Sequence, residues 1–550
     1  MKLLIAHINV FAILSCFTVF SVLSQEQLVA DISNVVDDSN KYCPNDQQDA
    51  CQIGDEDNNP NQECFRAAIY EYDRQDTKDC HGSALINLDA FRTGAKLAAT
   101  EGAKIFVTPE DGIFASRRNG YVNPCLEEIP DPNTLNPLND NPCNQPQIYK
   151  NFSILTELSC IARDNKIYVV ANYGTKLTCQ PGSQVGERPC PEIGYFMLNT
   201  DVVLDPSGKF VSRYRKYNPF TEVFNKPPEA EFAYFDTPLG RFGVVTCFDI
   251  LFKTPTIDLV EKYNIDTMLS PTWWFDELPL LTAIQFQDAW SLVNKVNLLA
   301  ANILKPQLGS TGSGIFSNIK SHYIGSNHGS SKILIANIPK RPRDSTTSTT
   351  CKTCFNSKTI ELQSNTSAYR YTNYTVGPED RVVPLTKNSD TREVCLKNGQ
   401  FCCKIFYDMS SHMFDEEVLK KIVIIVRDGR RNHTFGVYEQ VCALATLDSP
   451  FDSSDLKNLH FSSQPLVSFN RLSIEGTFAS KYVYPIAAHS ASSLVPRDYR
   501  FYGCKETNSR PGSDYSFKCR HEYTYSKPAE IYSFGLLGRL YSEDIMKYDH

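Results

Sequence analysis

Short apolar runs separated by amphipathic stretches organise the first part of the chain. The runs are rich in β-branched and aromatic residues, which favours strands. They lie at 65–72, 104–108, 167–173, 196–204, 210–214, 232–235, 266–271, 297–303, 312–317 and 333–338. Two stretches, 84–100 and 278–296, repeat apolar residues at helical spacing, as does the segment around Cys160. Strands that alternate with helices predict an α/β sheet domain from about 65 to 340.

One further apolar run contains a reactive side chain. Residues 242–250 read FGVVTCFDI, and the pattern predicts a buried strand over 242–248 that carries Cys247 near its end. A rigid strand end is a suitable place for a nucleophile. The pattern alone leaves open whether Cys247 is a nucleophile, half of a disulfide or a small buried side chain. Beyond it, Thr254 and Pro255 form a helix-start signal, a capping residue followed by proline.

The character of the chain changes after residue 340. The segment 340–350, KRPRDSTTSTT, is basic and then rich in Ser and Thr, and indicates a linker. Beyond it lie eight cysteines and β-like runs at 421–426, 433–441, 472–477 and 482–486. We therefore expect a second, mostly β domain over 341–550 that disulfide bonds stabilise.

Two pairs of cysteines in this second domain stand at close spacing, Cys351 with Cys354 and Cys402 with Cys403. No histidine cluster lies at ligand spacing beside them, so bridges are expected and no metal site is predicted.

The ends of the chain indicate where the protein is located. Lys2, an apolar run over 3–20 and the small residues Val22 and Ser24 predict a secretory signal peptide at 1–24. No later segment approaches ~20 consecutive apolar residues, so no transmembrane segment is expected. The polar tail SEDIMKYDH lacks the hydrophobic run of a lipid-anchor signal. The sequence therefore predicts a secreted, extracellular protein, which begins with an acidic, cysteine-containing extension at 25–64.

The net charge and the glycosylation sequons bear on the partners and the surface of the protein. The formal net charge is −8, which gives no electrostatic footprint for nucleic acid. Four N-x-S/T sequons predict surface glycans in a secreted chain, at Asn151, Asn365, Asn373 and Asn432.

The cysteine count bears on Cys247. Of the 19 cysteines, Cys16 leaves with the signal peptide, and secreted chains oxidise the rest into bridges. If Cys247 is free, an odd number remains and a second unpaired thiol is required. Cys160 is the candidate, because it lies on an amphipathic helix where a small buried residue packs. Alternatively, Cys160 and Cys247 are both bridged. Cys179 and Cys190 flank a polar loop that a bridge would close.

Three residues at the ends of predicted strands form a candidate catalytic set: Glu110, Lys216 and Cys247. The carboxyl ends of strands converge at one edge of an α/β sheet, which is a usual site position. Singly, each has a plain structural interpretation: a turn-capping carboxylate, a solvated lysine and an inert buried thiol.

The residues around these three resemble the nitrilase superfamily of carbon–nitrogen hydrolases. The motifs are VTPEDG at 107–112, RYRKYNPFTE at 213–222 and GRFGVVTCFDI at 240–250. Further stretches resemble the vanin and biotinidase branch, among them ARDNKIYVVANYG at 162–174, NTDVVLDPSGK at 199–209 and LPLLTAIQFQDAW at 278–290. The resemblance covers about 65–339 and, more loosely, the second half. It implies a nitrilase-type α-β-β-α sandwich followed by the branch's mostly β, disulfide-stabilised domain.

The resemblance also implies roles. Cys247 would be the nucleophile, Glu110 the proton acceptor and donor, and Lys216 the stabiliser of the oxyanion. Glu222 falls where related enzymes keep a second carboxylate that positions the lysine; a surface glutamate is the alternative. Trp273 and Trp274 are expected to line the acyl pocket, with core burial the simpler interpretation for one of them.

The expected activity is hydrolysis of a linear carboxamide without a cofactor. The leading small-molecule substrate is pantetheine, which would give pantothenate and cysteamine, and the alternative is a biotin amide such as biocytin. A different class of function also remains open: a catalytically silent secreted glycoprotein that uses the fold for binding.

Overall fold

The computed structural model describes residues 63–545. Its gaps are 117–121, 135–140, 152, 221, 326–328, 345–356, 365–368, 387–390, 397–398, 400, 410–414, 432–435, 457–458 and 508–515. The predicted leader, nearly all of the 25–64 extension, two sequons (Asn365 and Asn432) and the Cys351/Cys354 pair therefore lie outside the described residues. We call 63–364 the N-terminal region and 369–545 the C-terminal region.

Two mixed sheets form the N-terminal region. Its strands, in chain order, are β1 (Cys64–Glu71), β2 (Ile105–Val107), β3 (Tyr168–Thr178), β4 (Gln184–Val185), β5 (Arg188–Pro189), β6 (Tyr195–Leu204), β7 (Phe210–Arg215), β8 (Tyr234–Thr237), β9 (Gly240–Val244), β10 (Thr267–Thr272), β11 (Glu277–Leu278), β12 (Asn297–Asn302), β13 (Ser313–Phe316), β14 (Ser321–Ile324), β15 (Ser330–Pro339) and β16 (Ser357–Ser364). The first sheet has the order β16-β15-β1-β2-β3-β6-β7, and the second has β14-β13-β12-β10-β9-β8. β16 lies beyond residue 340 and still pairs with β15 in the first sheet.

Alternation along the strands places the two sheets face to face. In β1, Ala67 and Ile69 join the core that also holds Val244 and Leu269 of the second sheet. Ala68 and Tyr70 point to the opposite face, since successive side chains of a strand alternate. That outer face packs against two helices, α1 (Cys80–Thr100) and α2 (Ser153–Asn165). The short α3 (Asp258–Tyr263) and α4 (Ala283–Asn294) contribute to the core of the second sheet. The layers thus follow the order expected of an α-β-β-α sandwich.

The C-terminal region is mostly β, as its patterning predicts. Its elements are β17 (Thr372–Asn373), β18 (Asp380–Pro384), β19 (Thr391–Cys395), β20 (Cys402–Met409), α5 (Glu416–Leu419), β21 (Ile422–Arg430), β22 (Tyr438–Thr446), β23 (Ser468–Phe478), β24 (Val483–Ser490), β25 (Ser493–Leu494), β26 (Arg500–Thr507), β27 (Ser516–Glu530) and β28 (Ser533–Arg539). Two antiparallel sheets have the orders β18-β21-β22-β28-β24-β25 and β19-β20-β23-β27-β26.

One of these sheets is buried on both faces. Ile424 and Val426 of β21 belong to the core between the two C-terminal sheets. Val423 and Ile425 of the same strand belong to the core shared with the N-terminal region. A run of five apolar residues, 422–426, is the pattern that such double burial favours. The two regions therefore pack through a continuous apolar interface.

Disulfide bonds join neighbouring elements in both regions. The described bridges are Cys80–Cys125, Cys143–Cys160, Cys179–Cys190, Cys395–Cys402, Cys403–Cys442 and Cys504–Cys519. The predicted loop closure by Cys179 and Cys190 is present. The prediction that Cys160 is unpaired was wrong: it lies on α2 but its sulfur bonds Cys143, in the loop before that helix. Helical periodicity predicts that Cys160 is buried, but it cannot predict a disulfide partner that lies in an irregular loop.

Among the described residues, no helix combines the length and apolar character needed to cross a bilayer.

Candidate active site

Cys247 occupies a strained turn rather than a strand. β9 ends at Val244, and Cys247 is the first residue of a 3-10 helix, Cys247–Leu251, with φ of +45°. The prediction of a strand over 242–248 was therefore wrong at its end. The cause is a capping box that starts the turn. The Thr246 side chain accepts a hydrogen bond from the backbone N–H of Asp249, and the Asp249 side chain accepts one from the backbone N–H of Thr246. A non-glycine residue at positive φ is strained, so the surroundings must hold Cys247 in place.

The next segment has the form that its helix-start signal predicts. Thr254 has extended backbone angles, φ −102° and ψ 123°, as a capping residue does, and it is the non-helical residue inside a π-helical turn, Lys253–Ile257. That turn continues directly into α3, Asp258–Tyr263.

Cys247 is the one free cysteine among the described residues, and it is 6% exposed. All other cysteines that the structure describes are disulfide-bonded. The thiol is thus available for chemistry.

Glu110 and Lys216 form a buried ion pair beside it. Glu110 follows β2, and Lys216 directly follows β7. The Lys216 Nζ atom donates to Glu110 Oε1 at 2.7 Å, and both side chains are at most 3% exposed. Cys247 lines the same cavity. The three residues predicted from the sequence therefore meet, although 106 positions separate Glu110 from Lys216.

Glu222 completes this cluster. Its Oε2 atom accepts from Lys216 Nζ at 3.2 Å, so it is not a surface glutamate. Asn199 donates to Glu110 Oε1 at 2.7 Å and to Glu222 Oε2 at 3.1 Å. Glu110 Oε2 also accepts from the backbone N–H of Trp273 at 2.9 Å. These donors fix the carboxylate of Glu110 in one orientation.

The electrostatics of the cluster favour a charged lysine and a neutral thiol. Burial alone would lower the pKa of Lys216, but Glu110, Glu222 and Cys247 outweigh it and raise that pKa well above its ordinary value. Burial, and then the Glu110 carboxylate, raise the pKa of the Cys247 thiol more than Lys216 lowers it. Burial likewise raises the pKa of Glu222 to about 8. At neutral pH Cys247 is therefore protonated and needs a base.

The two tryptophans differ in how deeply they are buried. Trp273 lines the cavity of about 250 Å³ that holds the cluster. Trp274 is 6% exposed, donates its indole N–H to the Leu281 carbonyl at 2.9 Å and stacks on Phe286. Trp274 is therefore anchored in the core, although both tryptophans line a second cavity beside Cys247.

A chain of hydrogen bonds behind the cluster was not predicted. Asn172 Nδ2 donates to Asn199 Oδ1 at 2.6 Å and to Asp201 Oδ1 at 2.7 Å. Asp201 Oδ2 accepts from the Thr246 hydroxyl at 2.7 Å. The chain therefore connects Glu110, through Asn199, to the residue before Cys247. A signal was available in the sequence, because Asn172 and Asp201 interrupt otherwise apolar strands.

One grouping of potential metal ligands occurs among the described residues, Cys80, His81 and Cys125. Its two sulfurs are bonded to each other, so they are not thiolate ligands. Of the two described sequons, Asn151 is exposed, while Asn373 Oδ1 accepts from the Phe461 N–H at 2.8 Å.

Both regions of the chain are similar to known proteins. The family described as Carbon-nitrogen hydrolase matches residues 65–270, and the Vanin C-terminal domain matches residues 361–544. A pantetheinase of Mus musculus is 35% identical over 497 residues, 87% of this chain and 90% of its own length. A pantetheine hydrolase of Homo sapiens is 32% identical, covering 88% and 89%. A biotinidase of Takifugu rubripes is 34% identical, covering 74% and 81%.

Proposed function

The chain belongs to the carbon–nitrogen hydrolases, in their vanin branch, and we propose that Cys247, Glu110 and Lys216 hydrolyse the linear carboxamide of pantetheine. Amide hydrolysis is the chemistry of the family. Pantetheine is the substrate named for relatives that align over most of their own length. The observation that carries the assignment of the three residues is their convergence around one cavity with Cys247 unbridged.

The first half of the reaction makes a thioester. Cys247 Sγ attacks the amide carbon as Glu110 accepts the thiol proton, and the carbonyl π electrons move to oxygen. The ammonium of Lys216 stabilises that oxyanion. When the intermediate collapses, the C–N bond breaks and Glu110 returns the proton to nitrogen, which leaves as cysteamine.

The second half restores the enzyme. Water attacks the thioester carbon while Glu110 accepts its proton, and the C–S bond breaks as the carboxylic acid forms. The proton held by Glu110 neutralises the departing thiolate. Pantothenate leaves, and Cys247 is again a thiol. No step requires a metal or an organic cofactor.

Each proposed role requires its own side chain, which gives the test. Glu110→Gln loses the base, Lys216→Ala the oxyanion contact and Cys247→Ala the nucleophile. We expect each variant to lose at least about 10³-fold in kcat, in line with the loss of a catalytic donor or nucleophile. The measurement is cysteamine release from pantetheine, with Asn294→Ala, on the far end of α4, as a matched control. Retained turnover in any of the three variants would contradict that residue's role.

Biocytin is the second substrate to assay, because the biotinidase of Takifugu rubripes is 34% identical to this chain. A higher kcat/KM for biocytin than for pantetheine would reassign the substrate. If neither these two nor any other linear amide is hydrolysed while iodoacetamide still alkylates Cys247 selectively, the result favours the silent binding glycoprotein.

We place the protein outside the cell. Disulfide bonds of this number persist in oxidising compartments, and the predicted leader agrees with that location. Expression of the full chain tests this proposal: the protein should accumulate in the medium and shift in mass after glycosidase treatment. Retention in the cytosol would contradict it.

A further inference from the structure

A second cavity adjoins the one that holds the ion pair. It has a volume of about 360 Å³ and shares Cys247 and the rings of Phe220, Trp273 and Phe275 with the smaller cavity. The sulfur of Cys247 thus lies where two compartments of different character meet. One is lined by Glu110, Lys216 and Glu222. The other contains none of these charged groups.

Aromatic rings form the near wall of the larger cavity. Phe220 packs on Phe248 with ring centroids 5.0 Å apart and on Phe275 at 6.1 Å. Phe275 in turn stacks on Trp273 at 5.8 Å. Such a wall suits an apolar body, not an ion.

The far wall comes from the C-terminal region, which contributes Thr372, Arg431 and Val437. This wall is held rigidly. β17 pairs with β11 in parallel register, Glu277 with Thr372. The Thr372 N–H and hydroxyl both donate to the Asp276 carbonyl, at 3.0 and 2.6 Å. The cavity is therefore complete only when both regions are docked.

Arg431 is the cationic residue of this cavity, and its charge is balanced. Its Nη2 donates to Glu277 Oε1 at 2.6 Å, and its Nη1 to Glu439 Oε1 at 3.3 Å. The nearby Arg427 pairs with Glu439 at 3.5 Å and with Asp380 at 2.8 Å. Two guanidinium groups thus face three carboxyl groups, which leaves no net positive charge. A guanidinium has five N–H donors, so Arg431 keeps donors beyond these two contacts.

We propose that the larger cavity binds the acyl half of the substrate, and that Arg431 selects acyl groups whose distal end is neutral and hydrogen-bonding. This inference rests on the proposed function, whose site it extends. The apolar body of the acyl chain lies against Phe220, Phe275 and Trp273, and its hydroxyl or amide groups accept hydrogen bonds from Arg431. A distal carboxylate is disfavoured, because Glu277 and Glu439 already neutralise the guanidinium.

Arg431→Gln and Arg431→Lys test the proposal with pantetheine, propionamide and succinamate. Pantetheine has a long acyl group with distal hydroxyls, propionamide ends before the cavity's far wall, and succinamate ends in a carboxylate. The native protein should prefer pantetheine to succinamate by at least tenfold in kcat/KM. Arg431→Gln should lose tenfold or more on pantetheine, mainly through KM. Its turnover of propionamide and its rate of Cys247 alkylation by iodoacetamide should stay within twofold of native.

Lys481→Gln is the matched control. It removes another ion pair between the two regions, Lys481 with Glu261 at 2.8 Å, away from the cavity, and should change nothing. Arg431→Lys should recover part of the pantetheine loss. An Arg431→Gln variant that keeps native kcat/KM on pantetheine, or that loses alkylation in parallel, overturns the inference.

A binding measurement separates this inference from the proposed function. If the native protein releases no amine from any amide, the proposed function fails. The subsite is then judged by calorimetry of pantetheine binding to Cys247→Ala, with and without Arg431→Gln. A tenfold weaker Kd in the double variant supports the subsite, and an unchanged Kd overturns it.

Discussion

Asp201 and Asp288 are both fully buried aspartates, yet their surroundings hold them in opposite states. Asp201, behind the candidate site, accepts hydrogen bonds from an amide and a hydroxyl. Burial, with added repulsion from Glu110 and Asp249, raises its pKa to about 8. Asp288, at the junction between the two regions, faces Arg497 and Arg500 at 2.6 and 2.5 Å. Burial opposes ionisation there too, but the two arginines outweigh it and lower the pKa to about 2.

The difference separates two uses of a buried carboxyl group. At the junction, an ionised aspartate on α4 holds two arginines that precede or begin β26, so charge joins the regions. Behind the site, a neutral carboxyl links Asn172 to Thr246 and adds no negative charge there. The site can therefore keep its hydrogen-bond network without a further buried charge beside the Glu110–Lys216 ion pair.

The largest expected loss of stability comes from removing the ion pairs of Asp288 at the junction between the two regions. Asp288→Ala leaves Arg497 and Arg500 buried without a partner carboxylate, and removing one side of such a cluster costs about 3–5 kcal/mol. The free energy of unfolding, measured by urea titration at pH 7, should fall by that amount.

The exposed pair between Lys481 and Glu261 provides the control, since surface ion pairs contribute about 0–1 kcal/mol. An Asp288→Ala variant no less stable than Lys481→Gln would show that charge does not hold the regions together.

The fold and the candidate site could be predicted from the sequence to different extents. Apolar periodicity located most strands of the N-terminal region to within a few residues, because one or both faces of each are buried. The flanks of Glu110, Lys216 and Cys247 predicted that these side chains would meet. The end of β9 was misplaced, since the Thr246–Asp249 capping box starts a turn inside an apolar run.

Contacts that depend on distant chain segments could not be foreseen. Cys143 and Cys160 pair across a loop that has no periodicity. Arg431 lies 154 positions from Glu277, and only the docking of one region on the other makes it part of a cavity. No local pattern encodes that docking.

A smaller effect is expected in how the stability that each of the two aspartates contributes depends on pH. Asp201, whose pKa is raised in the folded protein, stabilises the fold most at low pH. Its contribution is lost as pH rises from about 4 towards 8. For Asp288, whose pKa is lowered, stability is present above about 4 and is lost as pH falls towards 2.

Asp201→Asn removes the first of these titrations while keeping a hydrogen-bonding amide in place. The loss of unfolding free energy between pH 5 and pH 8.5 should be smaller in this variant than in the native protein. The exposed Asp236→Asn should leave that loss unchanged. Identical pH dependence in Asp201→Asn and the native protein would show that Asp201 is already ionised at pH 5.

The most direct test of the account is to trap the acyl group on the sulfur. The native protein is mixed with excess pantetheine, quenched in acid within a turnover and digested for peptide mass mapping. We expect the mass of a pantothenoyl group on the peptide that carries Cys247, and its absence from Cys247→Ala treated in parallel. Release of cysteamine with no acyl group on Cys247 at any quench time, or an acyl group on another residue, would contradict the thioester mechanism.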